Sequence, residues 1–482
     1  MVVLRDGVPR GLCRRGRAKL NCVELPDGLV AVVKRDCPTC ELVRPVLAEL
    51  GAHVVSEDDD AGLELSYQLG VETVPTLIRV RGGAEQRRTV GWSKHQWEAI
   101  AETAGFGAGL PDFRPGCGSR TLDPGVADEL AVRFEGDRLR SRRVEFSALE
   151  DEAEAMYDRG WTDGLPVVAP TEARVLRMLG GTRRDPQDVV AVVPPDLVPC
   201  TVEKAAINAV LAGCRPEYLP VVLAALEAAC TDEYNAHGVL ATTMPVGPVV
   251  VVNGPVRRRI GMNAGVNVLG QGNRANSTIG RALQLVIRNV GGGRPGGVDR
   301  AAQGNPGKVG LCFPEDEEGS PWEPFHVGRG FDAGTSTVTV FAGEGPRGIV
   351  DQLSRDPESL SRSFAACLRT VQHPKLPLIF DALLVVGPEH GRVFRDAGWT
   401  RHRLLERLDE LLQLPGDELV RGAGGIAEGL PPAVAGTSLP KFRPGGMLVV
   451  HAGGGAGLFS TIIAGWASGP TGSQPVTREV GP

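Results

Sequence analysis

The chain has 482 residues, 42% of them hydrophobic and 5% aromatic, enough for two or three domains with a sizeable core. Its 52 basic residues face 58 acidic ones, and the net charge of −6 leaves no global basic field to hold nucleic acid. No apolar run reaches the roughly eighteen residues of a membrane-spanning helix, and ten scattered cysteines behind an N-terminus without a long apolar segment predict a reducing, cytoplasmic setting rather than a disulfide scaffold.

The pattern predicts an α/β fold throughout. Residues 29–34 read as a buried strand, 38–50 as a helix, 53–56 as a second strand and 61–69 as a second helix. Residues 74–80 and 86–92 read as a strand pair turning at Gly82 and Gly83, followed by a helix over 94–104. Glycine and proline then crowd residues 105–118, which predicts a break. The expected domains are therefore 1–107, a linker over 108–148, and a large glycine-rich α/β domain over 149–482. In that last part helices are expected at 149–159, 172–179, 202–212, 216–229, 278–289, 357–370 and 400–413. Strands are expected at 166–168, 246–253, 336–341, 376–386 and 447–451.

Asp36-Cys37-Pro38-Thr39-Cys40 follows a strand and opens a helix. Helix N-terminal N–H groups stabilise a thiolate at Cys37, making it the attacking sulfur, and Cys40 one turn on can close a disulfide and release a bound partner. Zinc binding by this pair would need two further ligands, and Cys13 and Cys22 lie in an arm with no clear periodicity. Residues 20–105 resemble a thioredoxin-like domain through Cys37-Pro38-Thr39-Cys40 and Val74-Pro75-Thr76. The resemblance implies a redox-active Cys37–Cys40 disulfide as the working group, a cis Pro75 beside it, and an external thiol or thioredoxin-type protein as reductant. Asp36 stands where thioredoxins usually carry tryptophan, and the Pro-Thr dipeptide is closer to glutaredoxins, so partner and potential are not carried across.

Pro115-Gly116-Cys117-Gly118-Ser119-Arg120 sets a thiol between two glycines, open to close approach by another cysteine. Ser119, Arg114 and Arg120 are the groups expected to favour a thiolate there. The motif resembles the Cys/selenocysteine-Gly-Ser-Cys signature of the UGSC proteins, with Arg120 in place of the final cysteine, so a resolving thiol must come from elsewhere. Tethering to Cys37 and Cys40 supplies one at an effective concentration on the order of mM.

In the large domain Cys200 and Cys214 flank a helix and are further candidate nucleophiles. Residues 253–308 are dense in Gly, Asn and Arg, and Asn273, Arg274, Asn276, Arg281 and Lys308, with His326 beyond them, are the expected binding groups for a small polar or anionic substrate. Asp163, His237 and Ser460 are secondary candidates. Gly453–Gly457 matches a dinucleotide loop only loosely, so no organic cofactor and no metal is assigned. The blocks at 161–166, 201–218, 273–281 and 320–331 resemble an uncharacterised bacterial family found with thioredoxin-like or UGSC segments, a resemblance over most of 150–475 that implies no activity.

The leading expectation is a thiol-dependent redox enzyme in which Cys37 and Cys40 reduce or resolve a cysteine or substrate adduct. A cysteine-based lyase or transferase kept reduced by the N-terminal domain is the alternative, and a non-catalytic redox sensor the third reading. Nucleic acid and membrane are excluded as partners, and a homo-oligomer is left open.

Overall fold

The computed structural model describes residues 25–147 and 150–481, so Cys13 and Cys22 lie outside the described residues. They fall into two compact units, 25–140 with Glu172–Leu176, and 141–171 with 177–481. Both are mixed α/β, and no helix among the described residues is long and apolar enough to cross a membrane.

The first unit runs β1 (Gly28–Val33), α1 (Pro38–Glu49), β2 (His53–Ser56), α2 (Asp60–Leu69), β3 (Thr73–Val74), β4 (Thr76–Arg81), β5 (Ala84–Val90), β6 (Trp92–Ser93), α3 (Lys94–Ala101), β7 (Phe113–Arg114), β8 (Cys117–Gly118) and α4 (Val126–Glu135). Its four-stranded sheet has the order β2-β1-β4-β5, with β1 parallel to β2 and antiparallel to β4. Strand β1 is central and apolar on both faces. Leu29 and Ala31 pack with Val43, Leu77, Trp92 and Trp97, while Val30 and Val32 pack with Cys37, Cys40, Val74 and Ile78. The β4–β5 turn places Gly82 and Gly83 at φ +61° and +72°, left-handed backbone that glycine adopts without penalty. Helix α1 starts at Pro38, whose missing N–H is no loss at that position.

The expected linker is instead part of this unit as far as residue 140. Strand β7 pairs with β6, and β8 pairs antiparallel with β3, Val74 opposite Cys117. Helix α4 is tied to α2 by Arg133–Glu64 at 3.0 Å, by Tyr67 Oη donating to Glu135 at 3.1 Å, and by stacking of Tyr67 on Phe134. Gly116 is required by this packing: a Cβ there would lie 2.7 Å from the Val74 carbonyl oxygen.

The large unit is organised on a mixed sheet ordered Leu311–Pro314, Gly247–Asn253, Thr337–Gly343, Phe459–Ala467, Phe380–Val386, Met447–His451. Gly247–Asn253, Thr337–Gly343 and Phe380–Val386 are buried at every residue, as the continuous apolar run Val249–Val252 predicts for the first of them. One face of the Phe380–Val386 strand carries Leu384 and Val386 into a cluster with Leu360, Phe364 and Phe394, the other Leu383 and Val385 into a cluster with Phe313 and Phe341. Residues 166–168, expected as a strand, have no regular structure; Leu165 and Pro166 carbonyls instead accept from Arg281. The helix expected from 278 begins a turn earlier, at Arg274. The glycine loop at Gly453–Gly457 leads into the strand Phe459–Ala467, where a dinucleotide loop would lead into a helix, so that loose match is lost.

Candidate functional site

Three cysteines converge on Val74. Cys37 is the N-cap of α1, with its sulfur accepting from Cys40 N–H at 3.2 Å and its thiol directed at the Val74 carbonyl oxygen at 3.6 Å. Cys117 pairs through the backbone with the same Val74, and its thiol and that of Cys37 influence each other's ionisation. Pro75, the next residue, follows a cis peptide bond. All three cysteines are free thiols; Cys37 is only 1% exposed, whereas Cys117 is half-buried.

The segment carrying Cys117 is held in place by side chains from three elements. Thr39 Oγ1 donates to the Pro115 carbonyl at 2.7 Å and Lys34 Nζ to the Gly118 carbonyl at 2.6 Å. Glu57, buried at the end of β2, accepts from Ser119 Oγ at 2.5 Å and from Arg120 N–H at 2.8 Å, and is also bonded to Ser66 Oγ. A buried carboxylate with several donors fixes position far better than a neutral acceptor does.

The cluster divides its protons unequally. Burial opposes a charge on Cys37, but hydrogen bonds from the Cys40 and Cys117 thiols and from the Cys40 and Thr39 N–H groups outweigh it and hold the thiol below its ordinary range. Burial, and then the bond to Cys37, push Cys40 far upward. The bond to Cys37 and then burial push Cys117 up, with Lys34 opposing. Cys37 is thus the most acidic of the three thiols. This corrects the expectation for Cys117: Ser119 is turned to Glu57 and Thr121, and Arg120 to Asp58 at 3.3 Å, so neither serves the thiol.

The large unit brings the expected residues into structural roles. Cys200 and Cys214 are buried, and burial pushes both thiols up to about 12, which disfavours a thiolate at either. Asn273 caps its helix, accepting from Asn276 N–H at 3.1 Å and donating to the Gly261 carbonyl. Asn276 is buried and staples Asn263 through both amide atoms. Arg274 donates to the Gly213 carbonyl, and Arg281 holds Asp163 in a bidentate pair at 2.8 Å and 2.8 Å. Lys308 pairs with Asp299 at 2.7 Å. His326 is fully buried with Nε2 on the Asp332 carbonyl, while His237 is exposed. Ser460 sits within a strand, bonded to His390 Nδ1 at 2.8 Å and to Gly387 N–H, its side chain on the packed face. Dense Asn and Arg here hydrogen-bond largely to their own loops and to Asp163.

Sequence reasoning missed Glu57 and Lys34, which nothing but a place at the ends of strands β2 and β1 marks out. Among the described residues no three His, Cys, Asp or Glu side chains are grouped so as to hold a metal ion. Comparison with protein-family models, with curated proteins and with solved structures found no match.

Proposed function

We propose that the N-terminal unit is a thioredoxin-like thiol–disulfide exchange module whose immediate partner is its own Cys117. The observation that carries this reading is that the Cys117 segment lies along β3 as an added strand, over a Cys37 that is 1% exposed. An outside disulfide meets Cys117 first. The parallel–antiparallel sheet, the helix opened by Cys37 and the cis bond before Pro75 support the thioredoxin-like part of the reading.

The exchange balances as follows. Cys117 exchanges with an outside disulfide, one small thiol leaving with the Cys117 proton, and the mixed disulfide so formed is attacked at the Cys117 sulfur by the Cys37 thiolate, the second small thiol leaving as thiolate. Cys40 then attacks Cys37, and Cys117 leaves. Two electrons pass from the Cys37–Cys40 dithiol to the mixed disulfide, its two protons end on Cys117 and on the second small thiol, and Cys37–Cys40 becomes a disulfide. An external dithiol resets it. The alternative of a cysteine-based lyase or transferase would draw its nucleophile from Cys117 rather than from the buried Cys200 and Cys214.

The test is turnover of a small soluble disulfide with an external dithiol as electron source. Cys37→Ser should abolish it and Cys117→Ser should lower it at least tenfold. Undiminished turnover by Cys117→Ser would mean that outside disulfides reach Cys37 directly.

A further inference from the structure

The large unit contains a cavity of about 570 Å³ that none of the expected binding residues except Lys308 touches. It lies between the helices Ala236–Ala241 and Arg274–Asn289 and the loop through Gly304, with Leu240, Val246 and Ile287 among its apolar walls. A volume of this order suits a small organic molecule.

Its charges are nearly all paired. Lys308 is matched by Asp299 at 2.7 Å and Asp163 by Arg281 at 2.8 Å. Arg288 is different: it lines the cavity, no ion pair to it occurs among the described residues, and its Nε is buried without a hydrogen-bond partner. Burial and the neighbouring Arg294 disfavour that charge and outweigh the support it draws from Asp163, so an incoming anion would relieve it. Tyr234, also in the wall, is fully buried and its hydroxyl has no partner. Burial raises its pKa, so it remains a neutral O–H donor. Two donors without acceptors, one cationic, in a chamber whose other charged side chains are paired with each other or with Arg281 define a complementary ligand. Gly247, also in the wall, lets Gln284 and Lys308 pack close to the backbone, since a Cβ there would lie 3.2 Å from both Gln284 Nε2 and Lys308 Cγ.

We infer that this cavity binds a small monocarboxylate with a compact apolar body, its carboxylate on Arg288 and Tyr234 and its hydrocarbon against Leu240, Val246 and Ile287. A guanidinium accepts a carboxylate in a two-point bond, which sets the headgroup preference. The site is independent of the thiol chemistry.

The experiment is calorimetric titration of the full chain, kept reduced, with phenylacetate and 4-methylpentanoate, and with phenethyl alcohol as the uncharged counterpart. At least one acid should bind at least tenfold more tightly than the alcohol. Arg288→Met should weaken that acid at least tenfold, and Tyr234→Phe about threefold. Tyr234→Phe removes only an unpartnered hydroxyl and keeps the fold, so it reads the site even if Arg288→Met fails to fold. Equal binding of acid and alcohol, unchanged acid binding by Tyr234→Phe, or binding of neither acid overturns the inference.

Discussion

Cys117 stands opposite Val74 in a two-stranded antiparallel pair, and the carbonyl of Val74 is the one that faces the Cys37 thiol. One backbone position therefore sets the spacing between the attacking sulfur and its partner. The consequences concern which thiol is charged, what holds the pair together and what lies outside it.

The charge on Cys37 depends on its neighbours. Hydrogen bonds from Cys40 and Cys117 stabilise the thiolate, so alkylation of Cys37 should rise with pH around a midpoint below that of an ordinary cysteine. Cys117→Ala removes one donor and should move the midpoint upward. Rates of modification by iodoacetamide from pH 5 to 10, followed at the Cys37 peptide, measure this. A midpoint unchanged by Cys117→Ala would show that the Cys117 bond carries no weight.

Glu57 holds the covering segment. Glu57→Ala strands Ser66 Oγ and the Arg120 N–H and leaves Ser119 Oγ with Thr121 alone, and the loss should cost about 2 kcal/mol of stability in chemical denaturation. The freed segment should also uncover Cys37, raising its alkylation rate several-fold at fixed pH. Because the freed segment also carries Cys117 away from Cys37, the pH midpoint should move upward as it does in Cys117→Ala, and the rate well above that midpoint reads exposure alone.

Cys200 and Cys214 should be silent. Both are buried, with thiols pushed up to about 12, so a colorimetric disulfide reagent should not label them in the native protein and should label them on unfolding. Cys200→Ala and Cys214→Ala should leave disulfide turnover unchanged within a factor of two. A tenfold loss in either would restore a nucleophile to the large unit.

The Asp163–Arg281 pair should matter to stability, and with a definite pH sign. Burial opposes ionisation of Asp163, yet hydrogen bonds and charge from Arg281 hold its carboxyl below the ordinary range. The unfolded chain therefore binds this proton more readily. The pair's contribution is fully present above the unfolded pKa near 3.8 and is lost as pH falls through the lower folded value. Asp163→Asn should be less stable by about 3 kcal/mol near neutrality, with a smaller deficit in acid, measured by denaturation at pH 7 and pH 3.

Much of this was legible in the sequence where pattern is local. The strand 53–56, the helix 202–212 and the strand 447–451 fall where alternation and caps put them. The turn at Gly82 and Gly83 is a two-residue signal, read from two residues. What escaped was long-range. The segment 108–140 is glycine- and proline-rich, which reads as a linker, yet Gly116 is there to let one backbone lie against another. Likewise Asn276 and Arg281 have side chains suited to anions, but their partners are loops and a carboxylate more than a hundred residues away in the case of Arg281. Composition cannot tell a residue that binds its own chain from one that binds a ligand. Arg288, half-hidden in a helix of ordinary appearance, is found only by asking which charge lacks a partner.

The most direct measurement uses Cys40→Ser. Without its resolving thiol, mild oxidation by a small soluble disulfide should leave Cys37 joined to Cys117, seen as one cross-linked peptide in non-reducing mass spectrometry and independent of protein concentration. Cys37 bearing only the small thiol, with Cys117 free, would contradict the account.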